Sequence, residues 1–142
     1  MQIWQGSRVI LTNPSNLITD YFEIANVGAA FMNVALMIFQ AIFVVKVSKA
    51  PMTGMIVTAI FTVIGFSFFG KNLYNSTSII IGVYLSFKFS KTPFDWVPIA
   101  LFGTALGPLV SVVSFGFSLP TIIGIILGNL VGIVAGFFIP IL

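Results

Sequence analysis

The sequence of 142 residues contains no cysteine and no histidine, and only three acidic residues. These absences exclude disulfides, thiolate nucleophiles, metal sites built on Cys or His, and imidazole proton relays. The acids Asp20, Glu23 and Asp95 lie near the ends of apolar runs. Because no Ser-His-Asp or Cys-His set can form, we expect no enzyme, no cofactor and no metal site. Proton coupling is not expected either, because no Asp, Glu or His lies in the middle of an apolar run.

Charge is also scarce. Charged residues make up 6% of the chain, hydrophobic residues make up 58%, and the mean hydropathy is +1.16. A soluble domain carries about 25% charged residues. The composition therefore predicts an integral membrane protein whose main partner is the lipid bilayer. The basic residues are too dispersed for a nucleic-acid surface, so no nucleic-acid partner is expected.

The apolar runs predict an all-α membrane protein with about five transmembrane helices in a single domain, residues 1–142. About 20 apolar residues are needed to cross the hydrocarbon core. Residues 1–21 mix polar and apolar types and are predicted to lie at the membrane interface. The predicted spans are about 24–45, 52–69, 73–87, 96–113 and 119–142.

A tandem repeat of 42 positions organises the middle of the chain, with residues 28–69 aligned without gaps on residues 70–111. Nine positions are identical, and only one of them is a plain hydrophobic residue. Chance matches in so apolar a chain would fall mainly on Ile, Val, Leu and Phe. Internal repeats of this kind are typical of transporters, whose solute sites lie where the repeats meet.

The two repeat units contain the same Lys-x-Ser-Lys-x-Pro loop, which starts at Lys46 in the first unit and at Lys88 in the second. Two helices per unit bring both loops to the same side of the membrane. The concentration of lysine there assigns that side to the cytoplasm. The sequence therefore predicts a multi-pass protein of the plasma (inner) membrane, with its N-terminus outside and its C-terminus in the cytoplasm.

Interrupted helices are predicted at two places, residues 65–78 and residues 103–111. The helix before the first interruption is too short to cross the hydrocarbon core, and the second contains a Gly-Pro pair at Gly107. Irregular backbone at membrane depth is tolerated where protein or water satisfies its polar groups, so both interruptions are expected to line a solute path. The candidate solute-binding residues are Asn33, Lys71, Asn72, Tyr74, Asn75, Thr104, Gly107 and Ser111.

Lys71 has two possible roles, because a cation in the bilayer is costly unless it reaches the headgroups. It could lie at the outer headgroups as an ordinary loop residue. It could instead point into a cavity with Asn72, Tyr74 and Asn75, where it would bind an anionic or polar solute or tether the turn to a carbonyl. Asn33 and Asn75 occupy the same repeat position and could face each other across a pseudo-twofold axis.

The last predicted span carries four glycines at strict i, i+4 spacing, which form one smooth stripe: Gly124, Gly128, Gly132 and Gly136. Such a stripe permits close backbone approach by another helix. That helix could belong to a partner chain in an oligomer or to the same chain. The sequence leaves both alternatives open.

Several runs of the sequence resemble a family of bacterial multi-span membrane proteins, domain of unknown function 1576. They are residues 13–21, 69–75, 81–85 and 100–111. The resemblance covers nearly the whole chain and implies a polytopic plasma-membrane protein, without indicating a substrate. It also implies that the chain corresponds to the N-terminal half of longer members. We therefore expect a partner, which would be a second half-transporter or another copy of the chain.

The sequence thus favours a membrane transporter or channel subunit that moves a small polar or anionic solute as a half-unit. The alternative is a non-transporting assembly or scaffold subunit that acts through packing of its glycine stripe.

Overall fold

The computed structural model describes residues 2–16, 18–90 and 94–141. The architecture is all-α, as predicted, and the described residues contain eight α-helices. These are α1 (Ile3–Thr12), α2 (Tyr21–Ile24), α3 (Val27–Val47), α4 (Gly54–Phe66), α5 (Leu73–Phe89), α6 (Trp96–Gly103), α7 (Gly107–Phe115) and α8 (Thr121–Phe138).

The helices include three segments that are long and apolar enough to cross a membrane, namely Val27–Val47, Trp96–Phe115 and Thr121–Ile141. They correspond to the first, fourth and fifth predicted spans. Helix α4 is apolar but has only 13 residues, and α5 has 17. The chain is therefore an all-α membrane protein, and the total of five crossings stays a prediction.

The N-terminal segment folds onto α3. Helix α1 is amphipathic, with Trp4 exposed and Ile10 buried. Gly6 allows close contact with α3, because a Cβ built on Gly6 would lie 2.6 Å from the Cβ of Ala29. Tyr21 is fully buried at the start of α2. The N-terminal segment thus packs on the helices that follow it, and its position at the membrane interface stays a prediction.

The first predicted interruption is present as a loop. Helix α4 ends at Phe66, after about 20 Å at 1.5 Å per residue, and α5 begins at Leu73. The chain between them, residues 67–72, is called the central loop below. Gly70 in this loop has a φ of 69°, a left-handed conformation that costs glycine little and other residues more. Gly70 therefore makes the turn possible.

The second predicted interruption is milder than the sequence suggested. Thr104–Leu106 form one 3₁₀ turn between α6 and α7, and Pro108 lies in the first turn of α7. The chain does not reverse here, since Trp96–Phe115 forms one segment of spanning length. A proline in the first turn lacks only an N–H that has no partner within the helix, so the helix continues with a local tightening.

Helix boundaries recur at the 42-residue spacing of the predicted repeat. Helices α3 and α5 end at Val47 and Phe89, and helices α4 and α6 begin at Gly54 and Trp96. The starts of α3 and α5 differ. Residues 69–72, which align with the first turn of α3 at residues 27–30, belong to the central loop and are not helical. The repeat itself stays a prediction. Lys91 and Pro93 lie outside the described residues.

The glycine stripe of α8 packs against α5 and α7 of the same chain. Gly124 and Gly128 face Ser114 of α7, and Gly136 faces the backbone of Ile79 in α5. Gly82 of α5 meets α8 from the other side, with an added Cβ lying 2.8 Å from the backbone nitrogen of Phe137. Of the two alternatives that the sequence left open, the structure contains the intrachain one.

Candidate functional site

The central loop is held in place from several sides. The Gly70 N–H donates to the Thr19 carbonyl at 3.1 Å, and the Tyr21 N–H donates to the Phe68 carbonyl at 3.2 Å. These two bonds join the loop to the N-terminal segment as a short antiparallel bridge between Asp20 and Phe69. Gly70, which is buried, and Phe68 therefore find backbone hydrogen-bond partners in the N-terminal segment, as buried peptide groups require.

Asn33 and Asn75, which are equivalent in the predicted repeat, both hold this loop. The Asn33 amide donates to the carbonyls of Ser67 and Lys71, at 2.7 and 2.9 Å. The Asn75 amide donates to the Gly70 carbonyl and to the Ser111 hydroxyl, both at 2.9 Å. The two asparagines thus contact neighbouring parts of one loop, where the sequence had suggested that they could face each other.

Asn72 connects the loop to α5 and to the N-terminal segment. It caps α5, because its side chain accepts from the Asn75 N–H at 3.0 Å while its own N–H donates to the Asn75 side chain at 3.0 Å. This reciprocal arrangement is a capping box. The Asn72 amide also donates to the Ile10 carbonyl at 3.0 Å and to the Tyr21 hydroxyl at 3.3 Å. Asn72 therefore has partners for its amide group and for its side-chain oxygen.

Lys71 is the exception in this network. Its side chain is only 1% exposed. In the described part of the chain, the Lys71 Nζ is the one buried side-chain polar atom that has no hydrogen-bond partner. The Lys71 Nζ lies 5.9 Å from the centroid of the Phe66 ring, a contact that stabilises a cation only modestly. Lys71 is therefore neither a headgroup-facing loop residue nor a tether to a carbonyl.

Burial controls protonation at this site. Lys71 lies in the central loop, outside the three segments of spanning length, and burial lowers the pKa of its amino group from 10.5 to about 7. Burial raises the pKa of Tyr21 to about 12, which outweighs the opposing effect of its hydrogen bonds with Ser15 and Asn72. Near neutral pH, Tyr21 is thus an uncharged phenol, while the Lys71 amine is close to its protonation midpoint.

A family model described as "Protein of unknown function (DUF1576)" matches residues 1–142. The chain belongs to this family. No curated protein and no solved structure matches it. The prediction that the chain is the N-terminal half of a longer protein stays a prediction.

The DUF1576 chain brings six of the predicted site residues together around the central loop: Asn33, Lys71, Asn72, Asn75, Gly107 and Ser111. Gly107 is included because a Cβ built on it would lie 2.6 Å from the Asn75 side-chain oxygen. The close approach of α7 to α5 therefore depends on a small residue at this position.

Two of the predicted residues do not join this group. Thr104 donates to the Leu101 carbonyl of its own helix at 2.5 Å. The Tyr74 hydroxyl lies 2.7 Å from the Ser114 hydroxyl and accepts from the Asn129 amide at 3.1 Å, and Asn129 also bonds Ser78. These side chains form a second polar cluster that joins α5, α7 and α8. Polar bonds between helices are a common packing device in membranes.

Three residues that contact the predicted site residues around the central loop are not predicted from the sequence. Ser67 and Ile10 contribute backbone carbonyls, and Tyr21 contributes a hydroxyl. No sequence pattern marks a backbone acceptor. Tyr21 did offer a signal, since it is a tyrosine beside the polar end of an interfacial segment.

Two cavities of this DUF1576 protein lie away from the central loop. One, of about 370 Å³, lies where α5 and α8 end, between Ser86 and Pro140. The other, of about 320 Å³, is an apolar groove along α3 and α5 that includes Tyr84 and Trp96. Neither is lined by Lys71 or by the three asparagines. The N-terminal segment covers the central loop, so the Lys71 site is closed in this conformation.

Asn33→Ala should destabilise the protein measurably. The truncation removes the donor that serves the buried carbonyls of Ser67 and Lys71, and an unsatisfied buried polar group costs about 1–3 kcal/mol. We expect a clear drop in the melting temperature of the protein in detergent, as measured by circular dichroism. The matched control is Gln40→Ala on the same helix, where the amide bonds only the exposed Thr77 hydroxyl. Equal melting temperatures for the two variants would contradict the role of Asn33.

Proposed function

We propose that this chain is a subunit of a membrane transporter or channel for a small anion, and that Lys71 binds the anion. The observation that carries the proposal is the buried Lys71 amino group, which has no hydrogen-bond partner in the described part of the chain. A buried charge is normally paired or hydrogen-bonded, because transfer from water is otherwise very costly. A lysine that has no partner in residues 2–16, 18–90 and 94–141 is therefore suited to an external partner of opposite charge.

The surroundings of Lys71 support this function. The loop lies between α4 and α5, where the helical backbone is interrupted, and such interruptions form the binding sites of many transporters. Asn33, Asn72 and Asn75 hold the loop to α3 and α5 through five hydrogen bonds. The lysine would therefore be presented from a rigid frame, and little ordering would be needed when an anion binds.

Access requires a conformational change, and the N-terminal segment is the natural moving part. It covers the central loop through few polar contacts, made by Ile10, Thr19 and Tyr21. With the predicted orientation, this cover would face the outside of the plasma membrane and the lysine-rich ends of α3 and α5 would face the cytoplasm. The chain would work as an oligomer or with a second half-transporter.

The scaffold alternative has less support. It depended on a glycine stripe that is free to dock on a partner, whereas the stripe is filled by α5 and α7. No comparable feature favours it over transport.

The proposal is tested with purified protein in proteoliposomes, by measuring uptake of nitrate, acetate and sulfate and of urea as a neutral polar solute. We expect wild-type vesicles to take up at least one anion faster than empty vesicles, and Lys71→Ala to reduce that uptake at least tenfold. The matched control is Lys88→Ala, which removes the same charge from an exposed position on α5. Uptake that is equal in the Lys71→Ala and Lys88→Ala vesicles would overturn the role of Lys71.

A further inference from the structure

We propose that the site takes up a monovalent anion together with one proton, and that the Lys71 amine holds the proton. This inference rests on the proposed function and adds the charge class of the solute and its coupling. Sequence reasoning expected no proton coupling, because it considered only Asp, Glu and His within the spans. The structure adds a buried lysine whose amine has no hydrogen-bond partner among the described residues.

In the empty site, the Lys71 amine has no hydrogen-bond partner among the described residues. The titratable residues of α1, of α2 with its N-cap and of the first turn of α5 are Arg8, Asp20, Tyr21, Glu23 and Tyr74. Farther toward their C-terminal ends, α3 carries Lys46 and α5 carries Tyr84 and Lys88. The Lys71 Nζ is bonded to none of them within residues 2–16, 18–90 and 94–141. The Asp20 carboxylate caps α2 by accepting from the Phe22 N–H at 2.8 Å. Since no group compensates an ammonium ion, closing the empty site favours the neutral amine.

In the occupied site, the protonation state of Lys71 sets the electrostatic cost of the bound anion. An anion that binds a neutral amine would carry an uncompensated negative charge into a buried loop. Protonation of Lys71 removes this cost, because an ammonium ion and a monovalent anion form a neutral pair. The balanced reaction is amine plus proton plus anion giving an ammonium–anion pair, and no bond to carbon forms or breaks. A divalent anion would leave one negative charge buried, so monovalent anions are favoured.

Proton binding and anion binding at Lys71 are thermodynamically linked. If anion binding requires the protonated amine, then anion binding raises proton affinity, and protons raise anion affinity by the same factor. Because the pKa of Lys71 is lowered to about 7, the amine of the empty protein can gain and lose its proton near neutral pH. A site of this kind would move an anion and a proton in the same direction, with no net charge.

The test measures proton uptake directly. Sodium bromide, sodium nitrate or sodium sulfate is added to weakly buffered protein in lipid nanodiscs, with a pH electrode as detector and calorimetry for affinity. At about pH 8 we expect binding of bromide or nitrate to take up close to one proton per site, and sulfate to bind at least tenfold more weakly. Above the pKa, the affinity for the monovalent anion should fall about tenfold per pH unit.

Variants separate the proton from the anion. Lys71→Met should neither bind nitrate nor take up protons, and Lys71→Arg, whose guanidinium stays protonated, should bind nitrate without proton uptake. Should Lys71→Arg fail to fold, the pH dependence of the wild-type affinity decides the question alone. One result would overturn the proton role and leave anion binding in place. In that result, nitrate binds with the same affinity from about pH 5.5 to pH 9, and protons are neither taken up nor released. Absence of binding for every anion would overturn the proposed function as well.

Discussion

Gly136→Ala is expected to disrupt the bundle, although it adds only one methyl group. The new Cβ would collide with the Ile79 carbonyl oxygen and lie 3.1 Å from the Ile79 carbonyl carbon. The obstructing atoms belong to helical backbone, so no side-chain rotation relieves the overlap and α5 must move away from α8. Overpacking of a core costs about 1–3 kcal/mol, and we expect the upper end of this range. Gly82→Ala, which meets the backbone of Ile133 and Phe137, should behave alike.

The matched controls are Gly54→Ala and Gly65→Ala in α4. A Cβ at either position meets nothing within 4 Å, and alanine favours a helix over glycine by up to about 1 kcal/mol. These variants should be as stable as the wild type or more so. Melting in detergent and elution on size exclusion provide the comparison. If Gly136→Ala melted at the temperature of the α4 variants, the close packing of α5 on α8 would be wrong.

Lys71→Met is expected to stabilise the empty protein and to abolish anion binding. Methionine keeps most of the buried chain length and removes an amine that bonds no group in the part of the chain that the structure describes. An unsatisfied buried polar group costs about 1–3 kcal/mol, and more when it is charged. We therefore expect a rise in melting temperature of several degrees. A residue that lowers stability and is needed for binding is typical of a functional site.

The gain from Lys71→Met should depend on pH in a defined direction. The pKa of Lys71 is about 7 in the folded protein and 10.5 for an ordinary lysine. Between these values the unfolded chain binds a proton that the folded chain has released, so the stability of the wild type rises with pH. Below about pH 7 the full penalty applies. The advantage of Lys71→Met should therefore be largest at or below pH 7 and shrink toward pH 10.5. A variant that melts below the wild type at pH 6 would contradict the unpaired lysine.

Sequence reasoning located the main features of the fold because they depend on local pattern. Apolar runs marked the long helices, and the glycine spacing marked a close helix contact. The shortness of the run before Gly65 marked the loop after α4. The partner of the glycine stripe could not be predicted, because i, i+4 spacing describes one surface and says nothing about what faces it.

Local sequence pattern also predicted part of the candidate site. Scarce polar residues near an interruption pointed to Lys71, Asn72 and Asn75. The depth of Lys71 could not be predicted, because it depends on the N-terminal segment folding over the loop, which is a tertiary contact between Tyr21 and Phe68. Tyr74 and Asn75 are adjacent on α5 and therefore point in different directions. Tyr74 contacts Asn129 of α8, and Asn75 contacts Gly70 of the central loop.

The most direct test is anomalous X-ray diffraction from crystals grown in a lipid phase with sodium bromide, at about pH 6, where the Lys71 amine is protonated. The account predicts a bromide ion within hydrogen-bonding distance of the Lys71 Nζ in the wild type, and no bromide at that position in Lys71→Met crystals. A wild-type structure in which bromide lies only beside exposed lysines such as Lys46 and Lys88, with the Lys71 Nζ bonded to a protein carbonyl, would contradict it.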